Sequence, residues 1–193
     1  MRKVVLMVSF SFLAIFLILL NSKQIFAEEP KPFGLTLGKS TKEESLVNLR
    51  REGGKQTSSG YRIIKGEIYN PSIEGYYFKN LPLENLQNAS FWFFEGVLFQ
   101  INYEFPLSMS KEEFYVLYNQ LSSKYGKPAK YVKPYLADGL ALWKFKDIEM
   151  KLLAPWVSSK MYLIYTHIPL SKKADLSDQK VFKQETSKPQ RGF

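Results

Sequence analysis

Cysteine is absent from the 193 residues, and histidine occurs once, as His167. Without cysteine, the chain can form no disulfide, no thiolate zinc site and no thiol nucleophile. A single histidine also excludes a multi-histidine metal centre within one chain. No glycine-rich segment stands between a strand and a helix, which argues against a phosphate-binding loop. The sequence therefore predicts neither a metal nor another cofactor.

Positive charge exceeds negative charge, but the excess is spread along the chain. The chain has 27 Lys and Arg against 18 Asp and Glu, a formal net charge of +9. Residues 1–27, 28–170 and 171–193 each carry +3 of it. The long central part is therefore nearly balanced and has no dense basic stripe, so we expect no nucleic-acid partner.

The first 27 residues have the pattern of a secretory signal peptide. Arg2 and Lys3 precede an apolar run over residues 4–20, and Ala27 stands before a polar Glu-Glu-Pro. We predict cleavage near Ala27 and a periplasmic or extracellular bacterial protein. The alternative is an inner-membrane anchor formed by an uncleaved segment 4–20, because a spanning helix needs about 17–25 residues. A lipoprotein anchor is excluded, since it needs a cysteine.

Two stretches of the chain show the same order of elements. Residues 33–104 and 105–170 each predict a helix followed by four strands, which makes the fold class α+β with two α-β-β-β-β halves. To bury their apolar stripes, the helices must pack on one face of an antiparallel sheet. The halves predict a single α+β domain over residues 28–170, and duplication is left open. Residues 171–193 lack apolar periodicity and predict a disordered basic tail.

Capping residues predict where the two helices begin. Thr41 and Glu44 have the spacing of a capping box, Ser40 and Glu43 have it one residue earlier, and Ser110 and Glu113 repeat it in the second half. In such a box the hydroxyl accepts from a free amide of the first turn, while the carboxylate reaches back to the cap. Both helices are therefore expected to start directly after these hydroxyl residues.

Turn residues and alternation predict the strands of the first half. Asn70-Pro71 predicts a turn between two strands, and Glu95-Gly96 predicts a two-residue hairpin turn. The strand after that hairpin alternates between apolar and polar side chains, as expected when one face lies on a core. Its expected core face consists of Val97, Phe99, Ile101, Tyr103 and Phe105.

The start of the mature chain resembles a known group of proteins. Phe33-Gly34-Leu35-Thr36-Leu37-Gly38, followed by Thr41 and Glu44, is similar to the opening of small exported bacterial α/β modules. The group includes the β-lactamase inhibitor protein, with two modules in tandem, and small outer-membrane-assembly lipoproteins, with one. Lys-Tyr-Gly-Lys-Pro at residues 124–128 is similar to the helix end of uncharacterised exported bacterial proteins. The resemblance implies a binding or scaffolding protein, and it carries over no catalytic residue and no partner.

Aromatic residues supply the candidate binding site. Both faces of the segment Phe91-Trp92-Phe93-Phe94 are apolar, which predicts a buried central strand or, as the alternative, a strand with one face covered by a partner. Trp156 lies in a Pro-Trp-Val-Ser-Ser loop, and tryptophan is frequent at interface hot spots. Pro155, Trp156 and Val157 are therefore candidate partner-binding residues, and simple packing of the loop is the alternative.

No catalytic constellation emerges from the sequence. His167 is the one candidate for a neutral-pH base, but no carboxylate or nucleophile is placed beside it. No pair of carboxylates stands out for hydrolysis. We therefore expect a non-catalytic exported protein that binds another protein. The alternatives are weak contact of the basic tail with anionic lipid or cell-wall polymer, and a hydrolase.

Overall fold

The computed structural model describes residues 28–187. The predicted signal peptide, its cleavage near Ala27 and the alternative anchor over residues 4–20 lie outside this range, as do residues 188–193. Within the described range, none of the helices combines the length and the apolar composition that crossing a membrane requires.

Three helices and eight strands make up the described part of the chain, with a short 3-10 turn at Pro32–Gly34. The helices are α1 (Lys42–Arg51), α2 (Glu112–Tyr125) and α3 (Ile168–Thr186). The strands are β1 (Lys55–Lys65), β2 (Ile68–Lys79), β3 (Asn88–Phe94), β4 (Val97–Pro106), β5 (Lys130–Val132), β6 (Gly139–Lys144), β7 (Ile148–Ala154) and β8 (Lys160–His167).

All eight strands belong to one antiparallel sheet with the order β1-β2-β3-β4-β8-β7-β6-β5. Strands β1 to β4 form one meander and β5 to β8 form another, and β4 pairs with β8 at the centre. If β1–β4 are exchanged for β5–β8, the same strand order is obtained in reverse, so the two halves occupy equivalent places in the sheet. The structure therefore confirms the predicted α+β class, with a helix and a four-stranded meander in each half.

Helices α1 and α2 lie on the same face of the sheet and share its main core. Leu49 of α1 and Phe114 and Leu121 of α2 belong to one cluster of buried apolar residues. Removing this apolar surface from water is the main force that holds the helices on the sheet. The sheet contributes, among others, Phe78, Phe91, Phe93, Ile101, Tyr103, Trp143, Met150 and Leu152.

The prediction of a disordered tail over residues 171–193 is wrong as far as Thr186, where α3 ends. This helix packs on the opposite face of the first half, and Ala174 is its buried residue. The contact is made by Ala174, the partly buried Leu170 and several polar side chains, so the sequence shows no continuous apolar stripe. The second core cluster under the helix consists of Ile73, Phe94, Phe99 and Ala174.

Asn70-Pro71 does not form the predicted turn. The chain reverses after Lys65, and Asn70-Pro71 lies inside β2. The pairing between β1 and β2 jumps there, because Tyr61 pairs with Glu74 while the next residue, Arg62, pairs with Asn70. A bulge of this kind accommodates a proline, since proline cannot donate to a strand ladder.

A second bulge changes the predicted alternation of β4. Phe93 pairs with Leu98 while Trp92 pairs with Gln100, so Phe99 is the extra residue. Phe99 therefore packs under α3 rather than on the face of the main core. The preceding hairpin is as predicted, with positive φ angles of 50° at Glu95 and 79° at Gly96, as a tight hairpin turn requires.

The first predicted cap forms, and the second is displaced. The Thr41 hydroxyl accepts from the backbone N–H of Glu44 at 3.3 Å. At α2, however, the carboxylate of Glu113 accepts from the backbone N–H and the hydroxyl of Ser108, at 2.9 and 2.7 Å, instead of pairing with Ser110. The left-handed Lys111 (φ 62°) turns the chain just before the helix and brings Ser108 to the carboxylate.

Candidate functional site

Three loops meet at one end of the second half of the sheet. They are residues 107–111 before α2, residues 133–138 between β5 and β6, and residues 155–159 between β7 and β8. Each exposes large apolar side chains, which we call the loop patch: Met109 (93% exposed), Tyr135 (71%), Leu136 (71%), Trp156 (42%) and Val157 (89%).

Hydrogen bonds hold these loops to one another. The carboxylate of Asp138 accepts from the backbone N–H of Trp156 at 2.6 Å. The ammonium group of Lys111 donates to the carbonyls of Trp156 and Ser158, at 3.2 and 3.3 Å. Lys111 is buried, and a buried ammonium group needs such partners. The patch is therefore presented by loops fixed in place, which lowers the entropy cost of binding.

The predicted partner-binding residues fall in this patch, although not equally. Trp156 and Val157 are exposed, whereas Pro155 is half-buried. Their role in binding stays a prediction. Sequence reasoning missed Met109, Tyr135 and Leu136. Pro134 is the signal that could have placed Tyr135 and Leu136 in a loop, because proline interrupts a strand ladder, and β5 ends before it at Val132.

The sheet face next to the loop patch is also partly apolar. On the face opposite α2, two cross-strand rows run over β6, β7 and β8. Helix α3 turns away over the first half, where it packs on β1, β2 and β4. The rows place half-buried apolar side chains beside the loops: Leu140, Leu142, Leu153, Tyr162 and Ile164.

His167 has a structural position at the junction of β8 and α3. Its Nδ1 accepts from the backbone N–H of Leu170 at 3.3 Å and so caps α3. Its imidazole packs so closely on Gly38 that a Cβ there would lie 2.4 Å from Nε2. Burial lowers the pKa of His167, although the charge of Asp147 works in the other direction.

Two carboxylates of the sheet, Glu74 and Glu104, are engaged in ion pairs. Glu74 accepts from Lys42 at 2.9 Å and from the hydroxyl of Tyr76 at 2.8 Å. Burial by itself raises the pKa of Glu74, but these hydrogen bonds outweigh it and leave the pKa below its usual value. Glu104 pairs with Lys160 at 2.8 Å in the same manner. Among residues 28–187, no three acidic or histidine side chains are grouped to hold a metal ion.

The fold and the loops define an antiparallel α+β domain that presents an exposed apolar patch. Residues 31–177 match the family of the TP0088 domain, and the chain belongs to this family.

No curated protein matches the sequence. Among solved structures, a GTP-binding regulator from Thermotoga maritima is similar over 68% of this chain and 76% of its own, at 8% identity and a TM-score of 0.27. A score this low does not establish a shared fold.

Proposed function

We propose that this protein is an exported, non-catalytic binding protein that holds another protein through its loop patch. The observation that carries the proposal is the set of five exposed apolar side chains on loops that are hydrogen-bonded to one another. Clustered exposed apolar side chains are typical of protein interaction sites. Trp156 is the proposed central anchor, because tryptophan contributes strongly to binding where it is buried by a partner.

The adjoining sheet face supports an interface larger than the loops alone. Leu140 pairs with Leu153, and Leu153 pairs with Tyr162, in the row nearest the loops. A stable interface buries about 800 Å² on each partner, more than a few loop side chains supply. The partner is therefore expected to cover the loop patch together with this row.

Site-specific photo-crosslinking in the source cells tests the proposal. A photoreactive phenylalanine analogue replaces Val157, and in a matched control it replaces Val47, which is 61% exposed on α1. We expect the analogue at position 157 to give a discrete adduct, and the analogue at position 47 to give a weak one or none. The adduct from position 157 should be lost when Trp156→Ala is added. An adduct at twice the mass of the chain would identify the partner as a second copy. The same adducts from both positions, no adduct at all, or adducts insensitive to Trp156→Ala would refute the proposal.

A second candidate function is weak contact with an anionic envelope surface through α3. Asp175 and Asp178 both pair with Arg62 of β1, at 3.3 and 3.0 Å, so two acidic groups of the helix are engaged by a cation of the domain. Each lysine near an anionic membrane is worth about 1 kcal/mol, so this contact is weak but measurable at low salt. The outward side of the helix carries Lys172, Lys173, Lys180 and Lys183.

Sedimentation with anionic vesicles at low salt tests this second candidate. Changing the four outward lysines of α3 to glutamine should abolish most of the sedimentation, whereas Lys55→Gln and Lys79→Gln on the first half should leave it unchanged. Equal sedimentation of the two sets of variants would refute the candidate.

A further inference from the structure

Two adjoining cavities lie on the helix-bearing face of the sheet, and the lining of the larger one includes no residue of the three loops. They have volumes of ≈ 410 Å³ and ≈ 340 Å³ and share Glu84, Phe105, Leu117 and Gln120 in their walls. Each falls within the range of about 300–1,000 Å³ that small-molecule sites occupy. The larger one lies over the central strands β4 and β8, where the two halves meet.

The floor of the larger cavity is aromatic. Tyr103 of β4 meets Phe33, Phe105 and Tyr165 in edge-to-face contacts, with ring centroids 6.1, 6.4 and 5.9 Å apart. All four residues line the cavity. Such rings offer edges and faces to an aromatic ligand, and the aliphatic lining is completed by Leu83, Leu117, Leu121 and Leu163.

The hydroxyl of Tyr103 points to a ligand. Tyr103 is 1% exposed, and within residues 28–187 its hydroxyl has no hydrogen-bond partner. Burial raises the pKa of Tyr103 well above its usual value, so the group is a permanent O–H donor. A buried donor without an acceptor is unusual and destabilising. The ring of Phe33, which also lines the cavity, meets the ring of Tyr103 edge-on at 6.1 Å.

Charge at the wall of the cavity indicates the sign of the ligand. Lys31 and Lys124 both line it, against one acidic side chain, Glu84. Lys31 pairs only loosely with Glu28, at 3.4 Å and in an exposed position. The ammonium group of Lys124 lies 5.3 Å from the ring centroid of Tyr125. Two lysines at one cavity favour an anionic group there, and a carboxylate is the simplest.

We propose that this cavity binds an aromatic carboxylate that carries an oxygen acceptor at the end opposite its carboxylate. The ring lies on the aromatic floor, the distal oxygen accepts from the hydroxyl of Tyr103, and the carboxylate lies between Lys31 and Lys124. This site is independent of the loop patch, so it stands whether or not the protein-binding proposal holds.

Calorimetric titration of the full chain with three probes tests the assignment. 4-Hydroxycinnamate has both polar ends, cinnamate lacks the distal oxygen, and 4-hydroxycinnamyl alcohol lacks the charge. We expect 4-hydroxycinnamate to bind at least tenfold more tightly than either of the other two. Equal affinity of the three probes, or no binding of 4-hydroxycinnamate at millimolar concentration, would overturn the proposal.

Variants separate the two polar contacts. Tyr103→Phe should weaken 4-hydroxycinnamate about tenfold and leave cinnamate unchanged, while the unliganded protein becomes no less stable because an unsatisfied hydroxyl is removed. Tyr162→Phe on the opposite face is the matched control and should change neither probe. Lys31→Gln with Lys124→Gln should weaken both carboxylates several-fold and leave the alcohol unchanged. The site would be refuted if Tyr103→Phe still bound 4-hydroxycinnamate more tightly than cinnamate by the wild-type ratio. It would also be refuted if Tyr162→Phe weakened the binding of 4-hydroxycinnamate as much as Tyr103→Phe does.

Discussion

Replacing Asn70 by alanine is expected to release α3 from the sheet. Asn70 is fully buried in the bulge of β2, and its Nδ2 donates to Ser177 Oγ at 3.0 Å and to Asp178 Oδ1 at 2.8 Å. Its Oδ1 accepts from the backbone N–H of Ser72 at 3.0 Å. Because Ala174 is the buried residue of α3, these polar contacts carry much of the docking of the helix.

The size of the effect follows from the three bonds. A neutral hydrogen bond contributes about 1 kcal/mol, and one to a charged group about 1.5–3 kcal/mol. The bonds to Ser177 and Ser72 are neutral and the bond to Asp178 is charged, so Asn70→Ala should cost about 3–5 kcal/mol. The ion pair of Arg62 with Asp178 does not involve Asn70 and is therefore not counted in this sum.

Hydrogen exchange followed by mass spectrometry measures the release. In Asn70→Ala, amides of α3 should exchange at least 100-fold faster, whereas those of β4 and β8 stay protected, because about 1.4 kcal/mol changes an opening equilibrium tenfold. Ser177→Ala, which removes only the neutral bond, should accelerate exchange about fivefold. If α3 exchanged as slowly in Asn70→Ala as in the wild type, the polar contacts would not hold the helix and the reasoning would be wrong.

Three further variants test the caps and the His167 contact. Burial lowers the pKa of His167 below 6.5, so the unfolded state binds the proton more readily than the folded state. The free energy of unfolding should therefore fall as the pH is lowered from 7 to 5. His167→Asn, which keeps a capping acceptor, should lose this pH dependence, and an unchanged dependence would contradict the assignment. Glu113→Ala should lower the free energy of unfolding, measured in urea, by about 1–2 kcal/mol. Ser110→Ala should lower it by less, and an equal decrease in the two variants would count against the Ser108 cap. Gly38→Ala should cost more than about 2 kcal/mol or prevent folding, because φ is 81° and the Cβ would meet His167; a stable variant would show that the imidazole can move away.

Predictions that rest on neighbouring residues agree well with the structure. The Glu95-Gly96 hairpin needs two positive φ angles at adjacent residues, and the sequence offers a glycine at the second. The Thr41 cap needs an amide three residues away, and it forms. The exposure of Trp156 follows from its place in a proline-containing loop between two strands. In each case the partners are close along the chain, so the spacing is enough.

Predictions fail where the decisive partner is distant in sequence. Asn70 forms no turn because its amide bonds to Ser177 and Asp178, which lie more than 100 residues further along. Phe99 changes face through a bulge that depends on the pairing of β3 with β4. The loop patch is a set of three loops joined by Lys111 and Asp138, and no local pattern brings those loops together.

The α+β class, the order of the eight strands with α1 and α2, and the packing of these two helices on one sheet face were determined by the sequence itself, because turn chemistry and apolar periodicity act over a few residues. The joining of the two meanders at β4 and β8, the docking of α3, and the meeting of the loops were decided by the tertiary structure. These features depend on side chains that become neighbours only after the sheet has formed, and their energies come from burial and hydrogen bonds between distant residues.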